Sequence, residues 1–177
     1  MPVDSTAIGG TEIQAILSEE LAALRQAITD NIRTTGQWAS GATADSMQVV
    51  TTGTTGELTG RRAFGTLETG RKPGRVPRTI RDIIYRWMQA KGLHGRLMPY
   101  VRKGQHKYSS AQERGDWMMA GAIAHTIATQ GTRLYRQGGR ADVYSPEIQK
   151  TIARIDERIT RIFETAIVQQ IKSNLKE

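Results

Sequence analysis

Three groups of residues in this chain are of types that do chemistry, and none of the three completes a site. The first is Gly65-Thr66-Leu67-Glu68-Thr69-Gly70-Arg71-Lys72-Pro73, which begins like a phosphate-binding P-loop. That loop needs lysine directly after its second glycine and then Ser or Thr to hold magnesium. Here Arg71 and Lys72 follow Gly70, and Pro73 takes the hydroxyl position. Proline also removes one of the amides that would cradle phosphate. The second group is His94, His106 and His125, spaced so that no two share a helical turn, which leaves no local pair of metal ligands. The third is Glu68 and Asp82 with Lys72, an arrangement a nuclease could use around a divalent ion. A metal nuclease normally brings two or more acids together, and no compact Asp/Glu/Lys signature is present. Local charge balancing in a basic region is the simpler reading. There is no nucleophile elbow and no Ser/His/Asp set, so no catalytic residue, metal site or cofactor is expected.

What this region does offer is charge. From Arg61 to Arg114 there are 14 Lys and Arg against Glu68, Asp82 and Glu113, a net of +11 in a chain whose total is +8. The remainder therefore carries −3, and the middle third is a basic block between mildly acidic flanks. Such asymmetry steers association with an acidic protein or with nucleic acid. The loop from Gly65 to Pro77 and the insertion from Leu93 to Tyr108 are rich in Gly, Pro and cations and poor in apolar periodicity. They are expected to hold the partner contacts, to protein or DNA, with Arg61, Arg62, Glu68, Arg71, Lys72, Arg75, Arg78, Arg102, Lys103 and Lys107 as candidates.

The elements that must position these residues follow from apolar spacing. At 177 residues the chain is long enough for a core of its own. With 38% apolar and 6% aromatic residues, that core is mostly Ile, Leu and Ala, modest, and open to completion by neighbours. There is no cysteine, so disulfides and thiolate metal sites are excluded. No stretch approaches 18 consecutive apolar residues, and the first residues lack the basic and then apolar character of a signal peptide. A soluble protein without membrane contact is expected.

Residues 1–10 read as a flexible lead, and residues 11–177 as a single α+β domain with the basic region at 61–114. Thr11 is placed to cap a helix bearing Ile13, Ile16, Leu17, Leu21, Leu24, Ile28 and Ile32, which ends near Gly36. Met47 to Thr52 is strand-like, Gly53 to Gly56 a turn, and Glu57 to Phe64 a returning strand. Ile80, Ile83, Ile84, Trp87 and Met88 mark a helix that stops at Lys91-Gly92, with Trp87 expected in the core. Ser110-Ala111-Gln112-Glu113 matches a capping box for a helix running to Gly131, whose Ala120-Gly121-Ala122-Ile123-Ala124 run suits close approach of another backbone. Gln137 to Arg140 reads as a turn, Ala141 to Tyr144 as a short strand, and Ser145-Pro146 as a helix start. The last helix carries Ile148, Ile152, Ile155, Ile159, Ile162 and Ala166 at alternating spacings of four and three, widened by Phe163, Ile167 and Ile171. That heptad-like stripe is expected to pack on the first helix of the same subunit, with pairing across a subunit boundary as the alternative.

The order of features resembles the small tail-completion and neck proteins of tailed bacteriophages, the head-tail joining group that includes tail terminators. The likeness rests on the long first helix, the Gly41-Ala42-Thr43-Ala44-Asp45-Ser46-Met47 approach to a strand pair, and the Phe64 to Arg71 strand exit. It continues through Ile84 to Gly92, Ala122 to Thr132 and Asp142-Val143-Tyr144-Ser145. The resemblance implies a small antiparallel sheet packed with helices, in a subunit that assembles into a homo-oligomeric ring. Such a ring joins the head connector to the tail or completes the tail, contacting portal, connector or tail proteins, with DNA passing through its centre. It also implies a virion protein assembled in the host cytoplasm. The insertion between residues 92 and 109 is longer than in the simplest members of that group. The alternative reading, from another class, is a free nucleic-acid-binding protein with Arg71, Lys72, Arg75, Arg78 and Arg81 on phosphates and Trp87 beside them.

Overall fold

The computed structural model describes residues 10–100, 104 and 107–175. The fold is α+β: among the described residues it has a two-stranded antiparallel sheet and seven helices, of which the first and last are the longest. The chain divides into two compact units. One holds residues 1–37, 43–64 and 141–177, the other residues 38–42 and 65–140.

In the first unit the expected apolar stripe forms helix α1 (Gly10–Thr34), which buries all seven of its predicted apolar positions. Thr11 lies inside its first turn and is not the cap. Gly36, in the left-handed region at φ 72°, ends the helix where the sequence places the end. After the short helix α2 (Ala42–Asp45), strands β1 (Gln48–Thr52) and β2 (Thr55–Thr59) pair with Thr52 opposite Thr55. The turn is thus tighter than expected, and Gly56 belongs to β2. A Cβ at Gly56 would lie 2.7 Å from Leu21 Cδ1, so glycine there serves the close approach of the hairpin to α1. β2 ends at Thr59, short of Phe64, whose ring stacks on Tyr144 at 5.2 Å.

Helix α7 (Ser145–Asn174) packs on α1 as expected, but Thr151 is its buried residue, and Ile148 and Ile152 of the predicted stripe are exposed. Ser145 is already helical and Pro146 sits in the first turn, where its missing N–H costs nothing. The pair is antiparallel. Asn31 Nδ2 donates to the Val143 carbonyl at 3.0 Å, and further along Arg154 Nε and Arg158 Nη1 donate to the two oxygens of Glu20 at 2.7 and 2.8 Å. Those bonds, Arg154 first and then Arg158, hold the buried Glu20 carboxyl below its usual pKa. The stretch Ala141 to Tyr144 is not a strand. Val143 is buried and its carbonyl accepts from a side chain, so it joins no ladder.

The second unit contains α3 (Thr66–Thr69), α4 (Ile80–Ala90), α5 (Ala111–Gln130) and α6 (Arg133–Arg136). α4 packs on α5 through the fully buried Met88 and Ala120. The capping box holds in outline: Ser110 Oγ accepts from the Glu113 N–H at 3.0 Å. Glu113 reaches back one residue further than expected, to the Ser109 N–H at 2.7 Å. Trp87 departs from expectation. It is 40% exposed and, with Ile83, lies on the side of α4 turned away from α5. The helix period puts Arg81, Ile84, Tyr85 and Met88 on the α5 side, and that face is already filled by Met88, by Tyr85 edge-on to Trp117, and by Arg81.

Close backbone approach to α5 occurs at Gly115, not at the predicted Gly121. A Cβ at Gly115 would lie 2.0 Å from the Arg96 carbonyl oxygen, and one at Gly95 would lie 2.3 Å from the Gly115 carbonyl. At Gly121 the neighbour is the Arg81 guanidinium, 3.0 Å from such a Cβ. A backbone cannot retreat as a long side chain can. Gly115→Ala is therefore expected to destabilise the fold by about 1 to 3 kcal/mol, the range for overpacking. Comparing thermal midpoints with Gly121→Ala checks this: the Gly115 variant should unfold at the lower temperature.

Candidate interaction surface

The basic loop is built onto the end of α5. The Arg71 N–H donates to Thr132 Oγ1 at 2.9 Å, and the Thr132 N–H donates back to the Arg71 carbonyl at 2.9 Å. Three residues on, the Gly74 N–H donates to the Ala128 carbonyl at 2.8 Å. The loop thus takes up the Ala128 carbonyl near the helix C-terminus, where the peptide dipoles favour neighbouring positive charge. Gly70, at φ 67°, lies so close to the Tyr135 amide that a Cβ would sit 2.4 Å from it. This close crossing, together with its positive φ, requires glycine at that position.

Of the ten candidate side chains, the structure brings together Lys72, Arg75 and Arg78, all exposed on this one loop. Arg71 belongs to the loop's framework. It is half-buried, and its Nη2 donates to the Arg75 carbonyl at 2.8 Å. Glu68 is a correction: at 3% exposure it is buried in α3 and presents nothing to a partner, while its carbonyl accepts from the Arg140 N–H at 2.9 Å. Lys107 is exposed, its Nζ 5.6 Å from the Tyr108 ring centre. Arg61 and Arg62 are exposed but belong to the first unit. Arg102 and Lys103, with His106, lie outside the described residues. Arg81, assigned to phosphate in the nucleic-acid reading, donates through Nε and Nη2 to the Trp117 carbonyl at 2.9 and 2.8 Å and covers the Trp117 ring.

The division of charge coincides with the division into units. The second unit carries 15 Lys and Arg against four Asp and Glu, a net of +11; the first carries ten against 13, a net of −3. Within the second unit, three of the four carboxylates are engaged internally or buried. Glu113 binds Ser109, Glu68 is buried, and Asp116 is the centre of a buried network. Asp116 accepts from the Gly95 N–H at 2.7 Å, from Gln112 Nε2 at 2.7 Å, from Gln89 Nε2 at 3.2 Å and from His94 Nδ1 at 3.2 Å. Burial pushes the Asp116 pKa up, but the Gly95 amide, then Gln112, His94 and Gln89 outweigh it and hold it at about 2. Sequence reasoning missed this residue. The signal was a glycine directly before an acid inside a helix, with a second glycine at Gly95.

His94 binds Asp116, whose carboxylate is spent on four donors. Among the described residues no three His, Cys, Asp or Glu side chains gather to hold a metal ion. A polar groove of about 450 Å³ in the first unit is lined by Ser18, Arg25, Gln26, Thr29, Arg33 and Asp45. There Arg33 and Gln26 both bind Asp30, leaving no pair of carboxylates set for catalysis. No helix among the described residues is long and apolar enough to cross a membrane. Compared with protein-family models, with curated proteins and with solved structures, the chain matches none.

Asp116 generates a pH prediction. Its folded pKa lies below the ordinary 3.8, so its ionised form stabilises the fold above about pH 4, and that contribution is lost as pH falls toward 2. The shift corresponds to about 2 kcal/mol. Asp116→Asn is therefore expected to unfold more easily than the parent at pH 6 by roughly that amount. The gap should shrink as both are titrated toward pH 2, which denaturant unfolding at several pH values measures.

Proposed function

We propose that the chain is a non-enzymatic structural subunit of a tailed-bacteriophage virion. In this reading it forms a homo-oligomeric ring that joins the head connector to the tail or completes the tail, with portal, connector or tail proteins as neighbours and DNA passing through the centre. The observation that carries the reading is the coincidence of charge with structure: one compact unit at +11 and the other at −3. A subunit with oppositely charged parts attracts a second copy head to side, and such heterologous contacts close into rings or run on as filaments. The order of sequence features, which resembles the neck and tail-completion group, selects the closed ring.

A second reading keeps one specific observation in its favour. Exposed Trp87, with Arg86 exposed beside it on α4, is a basic-aromatic face of the kind that binds nucleic acid in a free protein. The readings separate by salt. Screening lengths fall from roughly 10 Å at 0.1 M to about 3 Å at 1 M, so a lone DNA binder loses any duplex as salt rises. A ring held also by apolar contacts stays assembled at about 1 M salt, which light scattering reads as subunit mass. Lys72→Glu, Arg75→Glu and Arg78→Glu together are expected to block incorporation into particles while leaving the circular dichroism of the isolated chain unchanged. A strict monomer at every salt concentration, binding duplex tightly at low salt, overturns the virion reading in favour of its rival.

A further inference from the structure

We propose that the outer edge of β1, with the groove beside it, binds an extended acidic segment of another protein as a third strand of the sheet. The inference lies within the first unit and does not rest on the virion reading. With Gly53 and Thr54 between them, Thr52 and Thr55 close the hairpin as its hydrogen-bonded pair, and such pairs alternate along an antiparallel ladder. Gln48, Val50 and Thr52 therefore turn their amide and carbonyl groups toward β2, while Val49 and Thr51 turn theirs outward. Gln14 of α1 marks that direction: its Nε2 donates to the Thr51 carbonyl at 3.5 Å from outside the ladder. The Val49 N–H and carbonyl and the Thr51 N–H have no partner among the described residues.

β1 also lacks what usually protects a sheet edge. Its residues, Gln48-Val49-Val50-Thr51-Thr52, include no charge and no proline, and its register with β2 runs without a bulge. All but Gln48 are β-branched, which suits a strand held between two neighbours. The groove of about 450 Å³ lies along this edge, with Val49 and Thr51 in one wall and α1 as the other. An added strand turns alternate side chains toward α1, where Ser18 and Ala22 are small enough to leave room for them. The charge that faces such a strand is positive: Arg25 and Arg33 line the groove against Asp45, in a unit whose net charge is −3. Arg33 is held by Asp30, whereas Arg25 makes no ion pair among the described residues. Main-chain bonds to Val49 and Thr51 thus set the register of the bound segment, and Arg25 selects one with Asp or Glu facing the helix.

The probe is a labelled, end-blocked peptide one residue longer than β1 at each end, in which threonine alternates with serine and aspartate. Its binding to the full chain is read by fluorescence anisotropy, and the parent is expected to bind it. Thr51→Pro removes an outward N–H and leaves the ladder intact, because proline is tolerated on an edge strand where its nitrogen faces solvent. It is expected to weaken binding by roughly tenfold or more, with the parent's circular dichroism unchanged. Arg25→Glu is expected to do the same, and to bind instead the peptide whose aspartates are replaced by lysine. The probe with its backbone amides methylated keeps its charge but cannot join a ladder, and is expected not to bind. If Thr51→Pro loses the parent's circular dichroism, the Arg25→Glu chain and the methylated probe decide the matter. A parent that does not bind the probe, or a folded Thr51→Pro chain that binds it as tightly as the parent, overturns the proposal. So does binding that survives Arg25→Glu and is lost in the Lys72→Glu/Arg75→Glu/Arg78→Glu chain, which assigns the acidic peptide to the basic loop of the second unit. A fall in the parent's mass by light scattering on Thr51→Pro assigns the edge to a second copy, and probe binding that appears only after residues 2–9 are deleted assigns it to the chain's own beginning. Either result overturns the choice of partner.

Discussion

The second unit depends on one buried carboxylate. Asp116 gathers the Gly95 amide, two glutamine side chains and His94, and in doing so ties the chain leaving α4 to the first turns of α5. The tie is possible only because Gly95 and Gly115 let two backbones come within contact distance there. A buried charge with four donors is stable where a buried charge with one is not, so the network must be complete to stabilise the fold. Its electrostatic consequence extends to the surface. An acid that could have balanced the exposed arginines faces inward, and the unit's cations are left without it.

The first unit is organised by the same economy with the opposite sign. Glu20 is buried on α1 and draws Arg154 and Arg158 of α7 onto it, so two of that unit's cations are committed inside the helix pair. Arg158 also reaches Glu19, and this pairing raises its own pKa. Each unit thus commits part of its minority charge internally. The separation of +11 from −3 is written in the sequence, and the two cores determine which of the charges are displayed.

Much of the fold was legible because long helices announce themselves by period. The seven apolar positions of α1 and the Ser110 cap of α5 are written in spacing over several turns, and packing agrees with them; α7 also packs on α1, but with Ile148 and Ile152 of its stripe exposed. The misses share a cause: periodicity says which residues lie on one side of a helix, but not whether anything lies against that side. Ile83 and Trp87 keep step with Ile80 and Ile84, yet α5 takes the neighbouring face. Glu68 read as a surface acid, and Asp116 drew no attention, because residue type carries a prior for exposure that only tertiary contacts overrule. Gly56 read as a turn residue because a glycine required by close approach looks the same in sequence as one required by a left-handed φ.

The candidate surface was legible to a similar degree and for a similar reason. A run of cations identifies a basic loop, and Lys72, Arg75 and Arg78 are where that run places them. What the run cannot express is which member holds the loop in place, and Arg71 does so through its backbone and Nη2. The two surfaces that remain uncovered differ in range and in what they respond to. Charge on the second unit acts over a screening length and orients an approaching partner. Apolar area on α7 acts only in contact and is not screened by salt. In the proposed ring the first sets which copy arrives and how it is turned, and the second determines how long it stays. A chain carrying only the charge would bind acidic surfaces without discrimination, and one carrying only the apolar area would aggregate, so the proposed ordered assembly needs both on one subunit.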